Sequence, residues 1–338
     1  LVIPHTAEAQ LKLDATWSFP QAVRICYEAG PTGYELQRLL TSLGISCQVI
    51  APALVPRRPG VRVKTDRRDA ESLARFLRAE ELTAIRVPTV EEEAIRDLVR
   101  LREDLKADVL RARHRLSKFL LRQGRIYAGT SWTQAHLLWL RKQEFPHEAL
   151  ALTFEHYLTA LDLRLAQVAG LERELADWAT RPPFATTVAR LSCLRGIASL
   201  SALTIAAEVV DFSRFGSAEE FASFVGLVPS EHSSGQKEQR GRITKAGNAH
   251  VRRVLVEAAW HYRHRPGVGD TLRRRSEGQP PEVLAFSWKT QIRLSARYRT
   301  LVGRGKCPTV AIVAVARELA EAIWALMCLE GGADVAAA

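Results

Sequence analysis

Between residues 89 and 124 the chain carries one unbroken helical pattern, and it restricts the fold more than any other stretch. Leu98, Leu105, Val109, Ala112, Leu116 and Phe119 step by 7, 4, 3, 4 and 3 residues, the heptad-like stripe that packs one helix against another. Thr89 and Glu92 make a T-x-x-E capping box, the acidic residues Glu91 to Glu93 suit the positive end of the helix dipole, and Gly124 ends the pattern. A helix of roughly 50 Å at 1.5 Å per residue needs a partner along its length. Residues 149–179 supply a second long helical run, closed by Arg181-Pro182-Pro183. With a shorter aromatic-containing helix at 132–142 between them, the two are expected to form an antiparallel coiled-coil arm or an oligomerisation element. The second half of the first helix is basic (Arg111, Arg113, Arg115, Lys118, Arg122), which suits a solvated face or a nucleic-acid groove.

Ahead of the arm the pattern alternates. Residues 1–20 give no firm signal. Residues 23–28 read as a buried strand, 34–43 as a short helix stopped by Gly44, and 45–51 as a second strand, so a parallel strand–helix–strand unit is expected. A Pro- and Arg-rich loop precedes a helix over 65–79, and 82–87 is a third strand candidate. Alternation of this kind argues for an α/β domain with a mostly parallel sheet. Three carboxylates stand out on it. Glu28 ends a strand at its C-terminal end, where open α/β sheets place ligands. Asp66 and Asp69, three apart at a helix start, share a face. Such oxygens suit hard divalent cations, although D-x-x-D at a helix start also serves as a capping box.

The later third of the chain holds a different signal. Residues 232–260, HSSGQKEQRGRITKAGNAHVRRVLVEAAW, open as a polar loop: Ser233, Ser234 and Gly235 precede Lys237, Arg240, Arg242 and Lys245, punctuated by Gly241 and Gly247. Val251, Leu255, Ala258, Ala259 and Tyr262 then recur at helical spacing, with Asn248 as the N-cap. Arg252 and Arg253 lie in the first turns, where they oppose the dipole unless an anion docks on the free N–H groups. One reading is a serine nucleophile aimed at a phosphodiester, with the cations stabilising charge that builds on phosphorus. The other is a solvated loop before an amphipathic helix. Just upstream, LSCLRGIASLSALTIAAEV resembles a helix–hairpin–helix, with Gly196 at the turn and backbone amides free to hold a phosphate, a pattern that any αα-hairpin shares. Downstream, 292–298 and 309–327 read as helices, and 331–338 as a disordered tail.

Charge gives a partner class. The chain of 338 residues is +11 overall, and residues 236–306 alone hold 17 Lys and Arg against 5 Asp and Glu, a net +12. So uneven a basic block is a footprint for nucleic acid. No uncharged run spans a bilayer and no signal-peptide pattern opens the chain, so a cytoplasmic, nucleoid-associated protein with no membrane partner is expected. The five cysteines lack any CxxC pair and read as reduced, mostly buried thiols. The chain begins at Leu1 and its only methionine is Met327, so a natural start upstream is expected.

The segments CYEAGPTGY, KTDRRDAESLARFL, GLVPSEHSSG and RGRITKAGNAHVRR resemble the IS-one-ten family of insertion-sequence transposases. These are DEDD-type recombinases with an essential serine, some guided by a bridge RNA. The resemblance runs from about Arg24 to Met327 and implies an RNase H-like fold. It makes Glu28, Asp66 and Asp69 the second to fourth members of the tetrad and the ligands of Mg²⁺. It also makes Ser234, the serine directly before a glycine, the nucleophile that forms a covalent phosphoserine link to DNA. Lys237, Arg240, Arg242, Lys245, Arg252 and Arg253 are the expected nucleic-acid contacts. DNA ends and target are the implied partners, with a guide RNA in some members, and strand exchange implies a homo-oligomer, a dimer or tetramer. The first tetrad aspartate departs from the pattern: Asp14 is the only aspartate upstream and lies too near Glu28 to sit on an opening strand, so the ligand is expected to be missing. The expected organisation is an RNase H-like α/β domain, incomplete at its N-terminus, over 1–125, the arm over 126–182, and a mainly helical serine transposase domain over 183–330. The rival readings are a junction-type endonuclease using the acidic site alone and an inactive nucleic-acid-binding remnant.

Overall fold

The structure, a computed structural model, describes residues 23–56, 65–231 and 240–329. Asp14 and residues 331–338 lie outside the described residues. The chain divides after Thr89 into two compact units.

In the first unit, β1 (Arg24–Glu28), α1 (Glu35–Ser42) and β2 (Ser46–Ile50) form the expected strand–helix–strand, and the strands pair in parallel with Arg24 opposite Ser46 and Glu28 opposite Ile50. Gly44 follows α1 at φ +78°, a left-handed turn that glycine adopts without strain. Ile45, Val49 and Ile50 are buried with Leu40 of α1 and with Phe76 and Leu77 of α2 (Asp66–Arg78). The third strand does not form over 82–87. Among the described residues the contact is one antiparallel bridge, Ala84 to Ile50, with the Ile85 N–H on the Val49 carbonyl at 2.8 Å. Pro88 comes soon after and has no N–H with which to continue a ladder.

The second unit is helical. Its long helix α3 (Val90–Arg122) is followed by α4 (Gln134–Arg141), α5 (Glu148–Trp178), α6 (Ala185–Leu191), α7 (Ser199–Val209) and α8 (Ala218–Val225). The hairpin β3 (Pro229–Glu231) and β4 (Arg240–Ile243) comes next, then α9 (Ala249–Ala259) and a 3₁₀ turn over Trp260–Arg263. The short α10 (Asp270–Arg275), α11 (Pro281–Gly303) and α12 (Pro308–Cys328) complete it.

The stripe on α3 serves two cores. Ile95 and Val99, with Leu98 and Leu105 beside them, pack into the large core that the end of α5 shares with α6 to α9, α11 and α12. Val109, Ala112, Leu116 and Phe119 enter a second core with α4 and α5. There Phe119 meets Phe145, Phe154 and Tyr157 at ring separations of 5.4, 6.4 and 5.7 Å. Arg102 pairs with Glu172, and Arg164 approaches Asp108 at 4.0 Å, so α3 and α5 run antiparallel as the pattern implies. The long helix packs its apolar residues within the second compact unit, while its sequence reads as a continuation of the first domain.

Two further expectations change. The helix at 292–298 extends over all of α11, begun by Pro281 in the first turn, where proline's missing N–H is harmless. All five cysteines are free, but only Cys193 is buried and Cys307 is exposed. No described helix is long and apolar enough to cross a membrane.

Candidate active site

Three of the singled-out carboxylates line one cleft. It has a volume of about 560 Å³ and is bounded by β1, with Tyr27 and Glu28, and by the first turns of α2, with Asp66 and Asp69. Glu28 and Asp66 are exposed and Asp69 is half-buried. The cap of α2 is Thr65, whose hydroxyl accepts from the Arg68 N–H. Asp66 is thus the first helical residue and Asp69 the fourth, so the pair does not cap the helix, as a D-x-x-D capping box would require. Both remain on the cleft side in the first turn, where the dipole favours negative charge. An all-oxygen donor set of this kind suits a hard, hydrated divalent cation. Among the described residues no three His, Cys, Asp or Glu side chains converge closely enough to hold an ion by themselves, so water would fill most positions of any ion held here.

The serine segment is carried by a hairpin. Ser234, with His232, Ser233, Gly235 and Lys237, lies outside the described residues, but its flanks are fixed: Glu231 pairs with Arg240 and Pro229 with Ile243, with an irregularity between. The sequence reading missed β4, because Arg-Gly-Arg reads as a turn and only Ile243 packs toward the core. Arg242 and Lys245 are exposed, and neither has an ion-pair partner among the described residues, so both cations are available to a polyanion.

Two glycines lock the base of this hairpin. Gly226 ends α8 at φ +73°, and a Cβ there would stand 2.3 Å from the Ala246 carbonyl oxygen. Gly247 has φ +111°, and its Cβ would lie 2.1 Å from the Phe224 carbonyl oxygen. That carbonyl accepts from the Asn248 N–H at 2.8 Å. Asn248 caps α9 as expected, its side-chain oxygen accepting from the Val251 N–H at 2.9 Å.

Asn248 also reaches a group that the sequence reading passed over. Its side-chain amide donates to Glu208 at 2.8 Å, and Arg100 of α3 grips the same carboxylate through two bonds of 2.7 and 2.9 Å. The Glu208 side chain is 1% exposed. Burial alone would push its carboxyl up, but the hydrogen bonds from Arg100 and Asn248 outweigh burial and hold it below the ordinary carboxylate range. A lone Glu inside the apolar run ALTIAAEVV was the available signal, since such a residue is seldom buried unless paired. A second tie lies beside it: Glu103 of α3 bonds His250 Nδ1 at 2.7 Å and pairs with Arg253. Arg252 turns inward to donate to the Val225 carbonyl at 2.7 Å. Arg252 and Arg253 thus have partners within the fold, whereas Arg242 and Lys245 face solvent. The hairpin turn before α7 is present, with Gly196 at φ +86° and its missing Cβ 2.5 Å from the Ala258 carbonyl oxygen. That contact seats the turn on the end of α9.

Comparison with known proteins agrees with both regions. Residues 3–123 match the DEDD-type IS110 transposase domain, and residues 188–272 match the transposase IS116/IS110/IS902 family. A putative transposase, y4qE, of Sinorhizobium fredii is 46% identical over 90% of this chain and 75% of its own length. The transposase for insertion sequence element IS1533 of Leptospira borgpetersenii is 34% identical over 87% of this chain and 86% of its own. A probable family 20 transposase of Pseudomonas aeruginosa is 28% identical, covering 70% of each. The DEDD domain implies an RNase H-like fold for the first unit and suggests dependence on a divalent metal. With the acidic cleft, the basic hairpin and relatives matched along most of the chain, the protein belongs to the IS116/IS110/IS902 family of insertion-sequence transposases.

Proposed function

We propose that the protein excises and integrates an insertion sequence by Mg²⁺-dependent phosphoryl transfer with Ser234 as nucleophile. In this reading the Ser234 hydroxyl gives up its proton and forms a bond to phosphorus. The bond from phosphorus to one deoxyribose oxygen breaks, that oxygen takes a proton, and a second strand end later displaces the serine. Glu28, Asp66 and Asp69 would hold Mg²⁺, which when bound supplies positive charge against the phosphate oxygens. Arg242 and Lys245, with Lys237 and Arg240, neutralise the DNA backbone beside the serine. The Arg100–Glu208–Asn248 and Glu103–His250–Arg253 contacts hold the base of the hairpin against α3. The reading includes action in the cytoplasm at the nucleoid as a homo-oligomer, dimer or tetramer, in which the acidic and serine sites of different copies can cooperate, and use of a guide RNA.

The observation that carries the proposal is the gathering of Glu28, Asp66 and Asp69 on one cleft, with Thr65 performing the capping that would otherwise account for the two aspartates. Asp66→Asn and Asp69→Asn should each lower Mg²⁺-dependent cleavage of element-end DNA at least a hundredfold, since a small misplacement of reacting groups already has that effect. Their circular dichroism and DNA affinity should stay unchanged. Full cleavage by both variants would reduce the two residues to surface carboxylates.

A further inference from the structure

A second cleft, of about 420 Å³ and sharing no lining residue with the acidic cleft, lies between the segment before α10, α10 itself and α11. Its walls are Val268, Leu272, Leu284 and Trp288, with the side-chain amides of Gln279 and Gln291 at hand. Trp288 is 42% exposed, Leu284 38% and Val268 47%. Large apolar side chains scattered singly over a surface need no explanation, but a group of them around a concavity marks a binding site. The Trp288 ring stacks on no other aromatic among the described residues, and the part-exposed side chain lines the cleft.

The back of the cleft is tied together by hydrogen bonds. Gln291 is buried, and its side-chain oxygen accepts from Arg195 at 2.9 Å and from the Gly267 N–H at 2.6 Å. Ser287 donates to the Cys193 carbonyl. The segment is cationic: residues 261–306 contain 11 Lys and Arg against 3 Asp and Glu; Arg273 and Glu277 line the cleft, and Arg274 and Lys289, next in sequence to lining residues, are exposed.

We propose that this cleft receives an unpaired nucleobase of single-stranded DNA, stacked on Trp288, while the surrounding cations hold the adjoining phosphates. Aromatic faces take any base, and the side-chain amide of Gln279 offers a donor and an acceptor to a base edge. A base stacked within a duplex cannot enter such a cleft without leaving the helix. A second copy of this chain is disfavoured as occupant, because its own cationic surround would meet this one. The inference rests on the DNA-recombining reading and adds the strand state and the point of contact.

The test uses the full chain and a fluorescently labelled single-stranded oligonucleotide, the same oligonucleotide with abasic positions, and the matching duplex, by anisotropy. Trp288→Ala should weaken single-strand binding about tenfold and leave duplex binding within twofold. Trp288→Phe should keep most of the affinity, and the abasic strand should bind the unaltered protein as weakly as the intact strand binds Trp288→Ala. Unchanged single-strand affinity in Trp288→Ala, or equal losses on strand and duplex, overturns the base cleft while leaving DNA binding in place. A change of oligomeric state without loss of single-strand binding makes the cleft a protein interface and also overturns it. If the unaltered protein binds none of the three DNAs, the DNA-recombining reading fails with it.

Discussion

At the scale of single residues, the first turn of α2 decides how Asp66 and Asp69 are read. The sequence made both visible but left them divided between capping and chemistry, because a carboxylate near a helix start serves either. The side chain one position earlier supplies the cap: Thr65 takes the Arg68 N–H, so the capping role belongs to Thr65. Thr65→Ala should destabilise the first unit by about 1 kcal/mol. Asp66→Asn, which removes only a charge near the dipole, should cost about half as much. Thermal unfolding checks the order, and an inverted order would return Asp66 to the helix cap. Glu208 was legible in principle, as one carboxylate in an apolar run. Its partners were not, because Arg100 and Asn248 lie 108 and 40 residues away, and no local pattern carries such a pairing.

At the scale of elements, periodicity read the long helices well and the short strands poorly. The stripe of α3 and the start of α2 survive almost to the residue, because a dozen or more positions repeat the signal. β4 has four residues, two of them arginine, and forms because its partner β3 is there, a reason that lies outside its own sequence. The 82–87 candidate fails in the opposite sense: its composition suits a strand, but its one bridge to Ile50 is not extended before Pro88. The hairpin and α9 are joined to α3 through Glu208, and that junction is pH-dependent. The folded-state pKa of Glu208 lies below its ordinary value of 4.5, so its contribution is complete above that value and is lost as the pH falls through the lower folded value. Glu208→Gln should cost about 3 kcal/mol at pH 7, toward the low side for breaking a buried pair because Arg100 is partly exposed. The cost should shrink as the pH drops below about 4. Denaturant unfolding of both proteins across this range reads it, and a pH-independent difference would mean that the carboxylate charge is not what binds the junction.

At the scale of the whole molecule, the family was legible because it rests on long ordered segments. The sequence places the long helix with the domain before it, and the family-domain match over residues 3–123 runs through it, while Ile95, Val99 and the arm residues pack it against the helical unit. The charge distribution was readable from composition, and its consequence is measurable. DNA affinity should fall steeply with salt, and charge reversal at Arg240, Arg242 and Lys245 should flatten the log–log slope by about one for each phosphate that is no longer neutralised; an unaltered slope would move the DNA elsewhere. The central claim is covalent chemistry at the serine of the hairpin, and the most direct measurement is to incubate the protein with Mg²⁺ and element-end DNA, quench in denaturant, and map any protein–DNA adduct by mass spectrometry. A phosphodiester link on Ser234 is expected, absent from Ser234→Ala, which still binds DNA. Cleavage with no adduct, or an adduct that persists in Ser234→Ala, would contradict it.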